Sequence, residues 1–284
     1  MTNIAERVIN HDIRVVDGRY IQMPVWFRGE PDRAWGNLTL PNPHANSSVG
    51  DTVQKYPIGT KYVDGDRTFF YGYTNTVYTA NKANIGMFNL NKDDGITWGA
   101  TAGEAGDTKV GILASGLVDG TTPSEDDYAG GWLLPRTNPY SSYRIVKSST
   151  SGKSTSGEVD IYIDHGLVEA VTLSQGSCFI CKSEWGKMYQ HWAGGLDYVT
   201  CVGVTLIDPV ASTWQWVQAW GPCYVVPYNE EMGATVNIHQ AIFHIDGTIA
   251  KHSNSTDRQL AGYLIPNRIS ATTSSWLVRL QVNC

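Results

Sequence analysis

Charge is scarce in this chain. Lys, Arg, Asp and Glu make up 17% of its 284 residues, against about 25% in ordinary globular proteins. The balance is acidic, −6 at pH 7, and no basic stripe of the kind that neutralises phosphates is present, which argues against direct nucleic-acid binding. Long apolar runs are missing too. None approaches the ~18 residues of a membrane span, so no membrane partner is expected. The opening Met1-Thr2-Asn3-Ile4-Ala5-Glu6-Arg7 lacks the basic-then-apolar order of a secretory signal, which predicts use without Sec export. Cysteine is sparse. The five, Cys178, Cys181, Cys201, Cys223 and Cys284, are an odd number, and without a signal they read as reduced thiols. On the same ground the sequons at Asn37, Asn46 and Asn254 read as chance matches.

Catalytic signatures are equally thin. Gly152-Lys153-Ser154 ends like a phosphate loop, but Lys147 stands where the first glycine is needed to bring the backbone onto the phosphates. Asn89 to Gly95 resembles a calcium loop with its glycine one place late and Ala100 where the bidentate glutamate belongs. A nucleophile elbow, a His-Glu-x-x-His helix and a glycine-rich dinucleotide turn are absent. Cys178-Phe179-Ile180-Cys181, with Cys201 and Cys223, could supply four thiolates to zinc. The Phe-Ile pair suits a buried strand better than a metal turn, and positions three apart on a strand face opposite sides. Asp160 and Asp164 would share a strand face about 13 Å apart, too far for a carboxylate pair on one glycosidic bond. The sequence thus predicts no catalytic residue, no cofactor and no metal site, and a protein that is not an enzyme.

What the chain does hold is glycine, aromatics and β-type runs. There are 29 Gly, 10 Trp and 15 Tyr, a composition of sheets and turns rather than helical bundles. Val159, Ile161 and Ile163 alternate with Asp160, Tyr162 and Asp164, and Val278, Leu280 and Val282 with Leu277, Arg279 and Gln281; period two marks strands with one apolar face. Arg67 to Tyr73 follows a turn signal at Val63-Asp64-Gly65-Asp66, and the runs 129–134 and 142–147 flank Asn138-Pro139 as a paired unit. Helical periodicity is poor, with one short turn conceivable over Ile4–Val8. The predicted class is all-β with minor helix, a β-barrel or sandwich-like core carrying an extended N-terminal arm.

The arm covers residues 1–50, where Pro24, Pro31, Pro41 and Pro43 alternate with the bulky Trp26, Phe27 and Trp35. Spaced prolines oppose helix and central strand, while the aromatics need cover, from the body or from a neighbouring subunit. Residues 51–150 form a β-rich N-terminal part and 151–284 a β-rich C-terminal part, divided by the Ser/Thr/Gly stretch 148–157; 51–284 also reads as one domain. Trp214, Trp216 and Trp220 share parity and would line one strand face. Such a stripe is a sheet core, a subunit interface or a platform for sugars. The candidate interface residues are therefore Trp26, Phe27, Trp35, Trp214, Trp216 and Trp220.

Several blocks also resemble a family. Tyr56-Pro57-Ile58-Gly59-Thr60 with Arg67-Thr68-Phe69-Phe70-Tyr71, then Ala129-Gly130-Gly131-Trp132 with Tyr143 to Ser148, then Trp216 to Cys223 with Ala261-Gly262-Tyr263, look like segments that recur in proteins of tailed bacteriophages. The similarity spans most of residues 55–283. It implies a virion structural protein of the capsid decoration (cement) type: β-rich, homotrimeric, made in the host cytoplasm and bound to the major capsid protein on the capsid exterior. The resemblance carries no catalytic residues with it. The alternative is a tail or receptor-binding β protein with an aromatic carbohydrate-binding face.

Overall fold

A computed structural model describes residues 12–15, 19–24, 41, 43, 50–74, 80, 82–86, 94–99, 103–113, 117, 123–136, 141–149, 157–171, 177–190, 200–228, 240–244, 246–251, 259–265 and 276–282. Every regular element among them is a strand. In chain order these are β1 (Asp12–Val15), β2 (Arg19–Gln22), β3 (Lys61–Asp64), β4 (Arg67–Thr74) and β5 (Ala83–Gly86). Then come β6 (Asp94–Thr97), β7 (Lys109–Leu113), β8 (Trp132–Pro135), β9 (Tyr143–Ser148), β10 (Glu158–Ile163) and β11 (Ser177–Cys181). The last are β12 (Met188–Gln190), β13 (Thr200–Thr205), β14 (Thr213–Val225), β15 (Gln240–Phe243), β16 (Ile249–Lys251), β17 (Leu260–Leu264) and β18 (Trp276–Gln281). The all-β expectation therefore holds, and the short helical turn expected at Ile4–Val8 lies outside the described residues. Strands β6–β11 form one compact unit, and β1–β5 with β12–β18 form the other.

In the β6–β11 unit the strand order is β6-β11-β8-β9-β10-β7. The two ends of that order meet. Trp98, next after β6, bridges Ile112 of β7, and the Gly99 N–H donates to the Gly111 carbonyl at 2.8 Å. The six strands thus close as an antiparallel barrel, which leaves no free edge. Its interior follows from alternation: Val159, Ile161 and Ile163 point in from β10, Leu133 from β8, Tyr143 and Ile145 from β9, and all sit in one buried cluster with Trp98. The stretch 149–157 connects β9 to β10, which pair with each other, Ser148 against Ile161.

The other unit is a twelve-stranded sheet, β1-β2-β3-β4-β12-β5-β13-β14-β18-β17-β15-β16, in which β4 also pairs with β14. That extra pairing closes β4, β12, β5, β13 and β14 into a ring. Almost every pairing is antiparallel; β12 meets β4 in parallel through Met188 and Thr74. The far edge, β16, is covered by the chain just past β14: Pro227 bridges Ile249, and the Tyr228 N–H donates to the Ile249 carbonyl at 2.7 Å. Part of the predicted arm belongs to this sheet. β1 and β2 form a hairpin, β2 pairs with β3, and Ile21 is buried among Tyr56, Tyr62, Phe69, Tyr71 and Trp216. This hairpin precedes Pro24, so the spaced prolines do not interrupt its ladder.

Candidate interaction face

The Trp216–Pro222 segment is half of β14, the longest strand described. On its first half β14 lies along β4, with Trp214 opposite Tyr73 and Trp216 opposite Tyr71. Directly opposed residues share a face, and the rings do meet: Trp216 lies 5.0 Å from Tyr71, 5.1 Å from Tyr56 and 5.9 Å from Tyr62, centroid to centroid. Trp214 packs on Tyr73 at 5.1 Å. Tyr71 anchors this cluster. Its hydroxyl donates to Asp51 Oδ2 at 3.0 Å and accepts from the Lys55 N–H at 3.2 Å. Burial pushes the phenol pKa well above its ordinary value, so Tyr71 stays neutral.

Between Gln218 and Trp220 the register slips: Gln218 opposes Phe69, but Trp220 opposes Thr68. Ala219 is the extra residue of a β-bulge. One added residue reverses every side chain beyond it. Trp220 therefore leaves the face of Trp214 and Trp216, and the three tryptophans do not form one stripe. Gln218 holds the bulge. It is buried, and its Nε2 donates to the carbonyls of Trp220 at 3.0 Å and Pro222 at 2.8 Å. The Ala219 carbonyl accepts from the Val282 N–H on the β18 side, so those of Trp220 and Pro222 point to the other edge, where pairing with β4 ends at Trp220. Pro222, which has no N–H to give, is tolerated there for the same reason.

Past the bulge Cys223 and Val225 point into the core, and Trp220, Pro222, Tyr224, Val226 and Tyr228 form a column on the outside. β18 sets Leu277 beside Tyr224 and Arg279 beside Pro222, and β17 sets Tyr263 beside Arg279. Tyr224, Tyr228, Tyr263 and Leu277 are 37–41% exposed. Arg279 reaches Asp66 at 3.8 Å. Among the described residues, Trp, Tyr and Arg gathered on one face is the composition of interface centres rather than of solvated surface. Sequence parity missed this face because the bulge is not written in the period-two pattern; Gly221-Pro222 after a run of strand formers was its one local signal.

The other candidates are placed as follows. Trp26, Phe27 and Trp35 lie outside the described residues. Cys178 is buried in the barrel core while Cys181 faces the other side of β11 and is half-buried, so the pair cannot ligate one ion. Cys201 and Cys223 are buried in the other unit, and burial pushes both thiols far above their ordinary pKa, which leaves them unreactive. On alkylation of the native protein at pH 8, mass spectrometry should find Cys201 and Cys223 unmodified, with both modified in denaturant; fast native labelling would contradict their placement. Asp160 pairs with Lys109 Nζ at 3.0 Å, whereas Asp164 accepts from the Arg144 N–H and meets His165 Nδ1 at 2.7 Å. The two carboxylates are committed to different partners.

One histidine–carboxylate pair escaped sequence reading. His244 Nδ1 lies 3.0 Å from Asp246 Oδ1, and the Tyr228 ring stacks on the imidazole at 3.6 Å. Burial pushes the Asp246 carboxyl up. Hydrogen bonds from the Thr248 hydroxyl and N–H and from His244, with Lys82 nearby, outweigh that and hold it below its ordinary value. The Thr248 hydroxyl donates to the carboxylate, not to the imidazole, so no nucleophile is set up. The pair pins the turn between β15 and β16. Among the described residues no group of three or more His, Cys, Asp or Glu side chains could hold a metal ion. No family model, curated protein or solved structure matches the chain.

Proposed function

We propose that the protein is a non-enzymatic structural component of a bacteriophage virion, of the capsid decoration type, which attaches through the outward face of β14, β18 and β17. The observation that supports this reading is the exposed Tyr224, Leu277 and Tyr263 on one sheet face, with Trp220 half-buried beside them. The low charge and the phage-like blocks of sequence point the same way. A face of this kind gains by covering apolar area, at roughly 25 cal/mol per Å² before the costs of association. The partner surfaces are the major capsid protein and neighbouring copies in a homotrimer, and the place of action is the capsid exterior. An attachment that engages only the folded protein would also stabilise it by mass action.

The test is co-sedimentation with capsid shells. The double variant Trp220→Ser/Tyr224→Ser should lower the affinity at least tenfold, since truncating central interface aromatics costs about 2 kcal/mol or more. Its melting temperature should stay within a few degrees of the parent, because both side chains point outward. Undiminished binding by a folded double variant would sink this choice of face. Failure of the unaltered protein to bind shells at all would sink the decoration reading. Retention on a polysaccharide, lost in the same variant, would put the receptor-binding alternative in its place.

A further inference from the structure

Among the described residues, the buried side-chain atoms with no hydrogen-bond partner are Thr74 Oγ1, Trp98 Nε1 and Gln215 Nε2. Two of them are neighbours. β4 and β14 pair with Thr213 opposite Thr74 and Gln215 opposite Gly72, so Thr74 and Gln215 stand diagonally on one sheet face. Side chains so placed are separated by about 7–8 Å at Cα, with Cβ atoms somewhat closer. Thr74 is 0% and Gln215 2% exposed. The other end of the Gln215 amide is fixed: Oε1 accepts from Thr205 Oγ1 at 2.6 Å. The hydroxyl of Thr213 is committed to the Val210 carbonyl at 2.8 Å.

An unpartnered buried amide or hydroxyl costs about 1–3 kcal/mol, and two side by side in a strand junction call for a shared partner. That partner must accept a hydrogen bond from an amide and exchange one with a hydroxyl. It must also be small, and a neutral molecule suits partners that are themselves an amide and hydroxyls. An ion of either sign would be buried among these neutral partners without a counter-charge. Buried waters satisfy groups of this kind in most folded domains. We infer that a resident water molecule is bound between β4 and β14, bridging Gln215 Nε2 and Thr74 Oγ1. It completes a polar cluster that ties β13, through Thr205, to the β4–β14 seam. The site survives a 180° turn of the amide. Nε2 would then donate to Thr205 Oγ1, which is also 3.1 Å from the Ile207 carbonyl, and Oε1 would face the water as acceptor.

A crystal structure near 1.5 Å resolution, paired with a double-mutant cycle, tests this. In the unaltered protein a water peak should lie within hydrogen-bond distance of both atoms, and Thr74→Val should abolish it. Thr74→Val and Gln215→Leu should each lower the melting temperature. Together they should lower it by less than the sum, since removing both polar ends leaves no orphan. A direct Thr74–Gln215 hydrogen bond with no water, a peak that persists in Thr74→Val, or additive losses would each overturn the inference.

Discussion

Gly221→Ala is expected to destabilise the twelve-stranded unit by more than about 3 kcal/mol. Two costs combine. Gly221 has φ +87°, where an alanine loses about 1–2 kcal/mol relative to an ordinary backbone well. A Cβ on it would also lie 2.2 Å from the Asp66 carbonyl oxygen and 3.0 Å from Arg67 Cα. Those are backbone atoms of the β3–β4 turn and cannot rotate aside, so β14 or the turn must move. For a unit of this size each kcal/mol shifts the melting temperature by about 2–4 °C, which puts the expected fall at about 6–12 °C or more. Gly65→Ala is the control. Its φ is +62°, but nothing lies within 4 Å of its Cβ position, so it should cost about 1 kcal/mol, the conformational part alone. Equal losses for the two variants would show that close approach to the turn does not matter.

Trp216→Ala should cost about 3–5 kcal/mol, the range for emptying a buried large aromatic site. Trp216 is 7% exposed and is the ring on which Tyr56, Tyr62 and Tyr71 converge. Its removal takes away both its area and three edge or tilted ring contacts, and the tyrosines cannot close the gap while Tyr71 is tethered to Asp51 and Lys55. The expected signs are a melting temperature lower by about 6–20 °C and a weakened near-ultraviolet circular dichroism signal. Trp220→Ala, four positions along the same strand, should cost clearly less than Trp216→Ala, because its half-buried side chain lies on the outer face and not in the ring cluster. Similar losses for the two tryptophans would contradict the bulge at Ala219.

Much of this fold is legible in local pattern. The alternation at 159–163 and at 277–281 names the inward residues correctly, since Val159, Ile161, Ile163, Val278 and Leu280 are buried. The spacing of Cys178 and Cys181 already sets them on opposite faces of one strand. The same parity rule fails at Trp220. Parity assumes one residue per step against the partner strand, and Ala219 breaks that count where β14 runs against a segment some 150 positions earlier in the chain. The face formed by Trp220, Tyr224, Leu277 and Tyr263 was hidden for this reason, as was the His244–Asp246 pin, which depends on a turn closing between β15 and β16.

The sequence by itself determined the class of structure and the inner and outer sides of most strands. Period-two alternation, abundant β-branched and aromatic residues, and glycine at turns are local properties that act within a few residues. Only the tertiary structure decided which strands meet: the barrel closed by Trp98 and Ile112, the ring closed by β4 and β14, and the outward turn of Trp220. Those choices depend on register between segments far apart in the chain, and a single bulged residue, held by the Gln218 amide, is enough to move a tryptophan from the core to the surface.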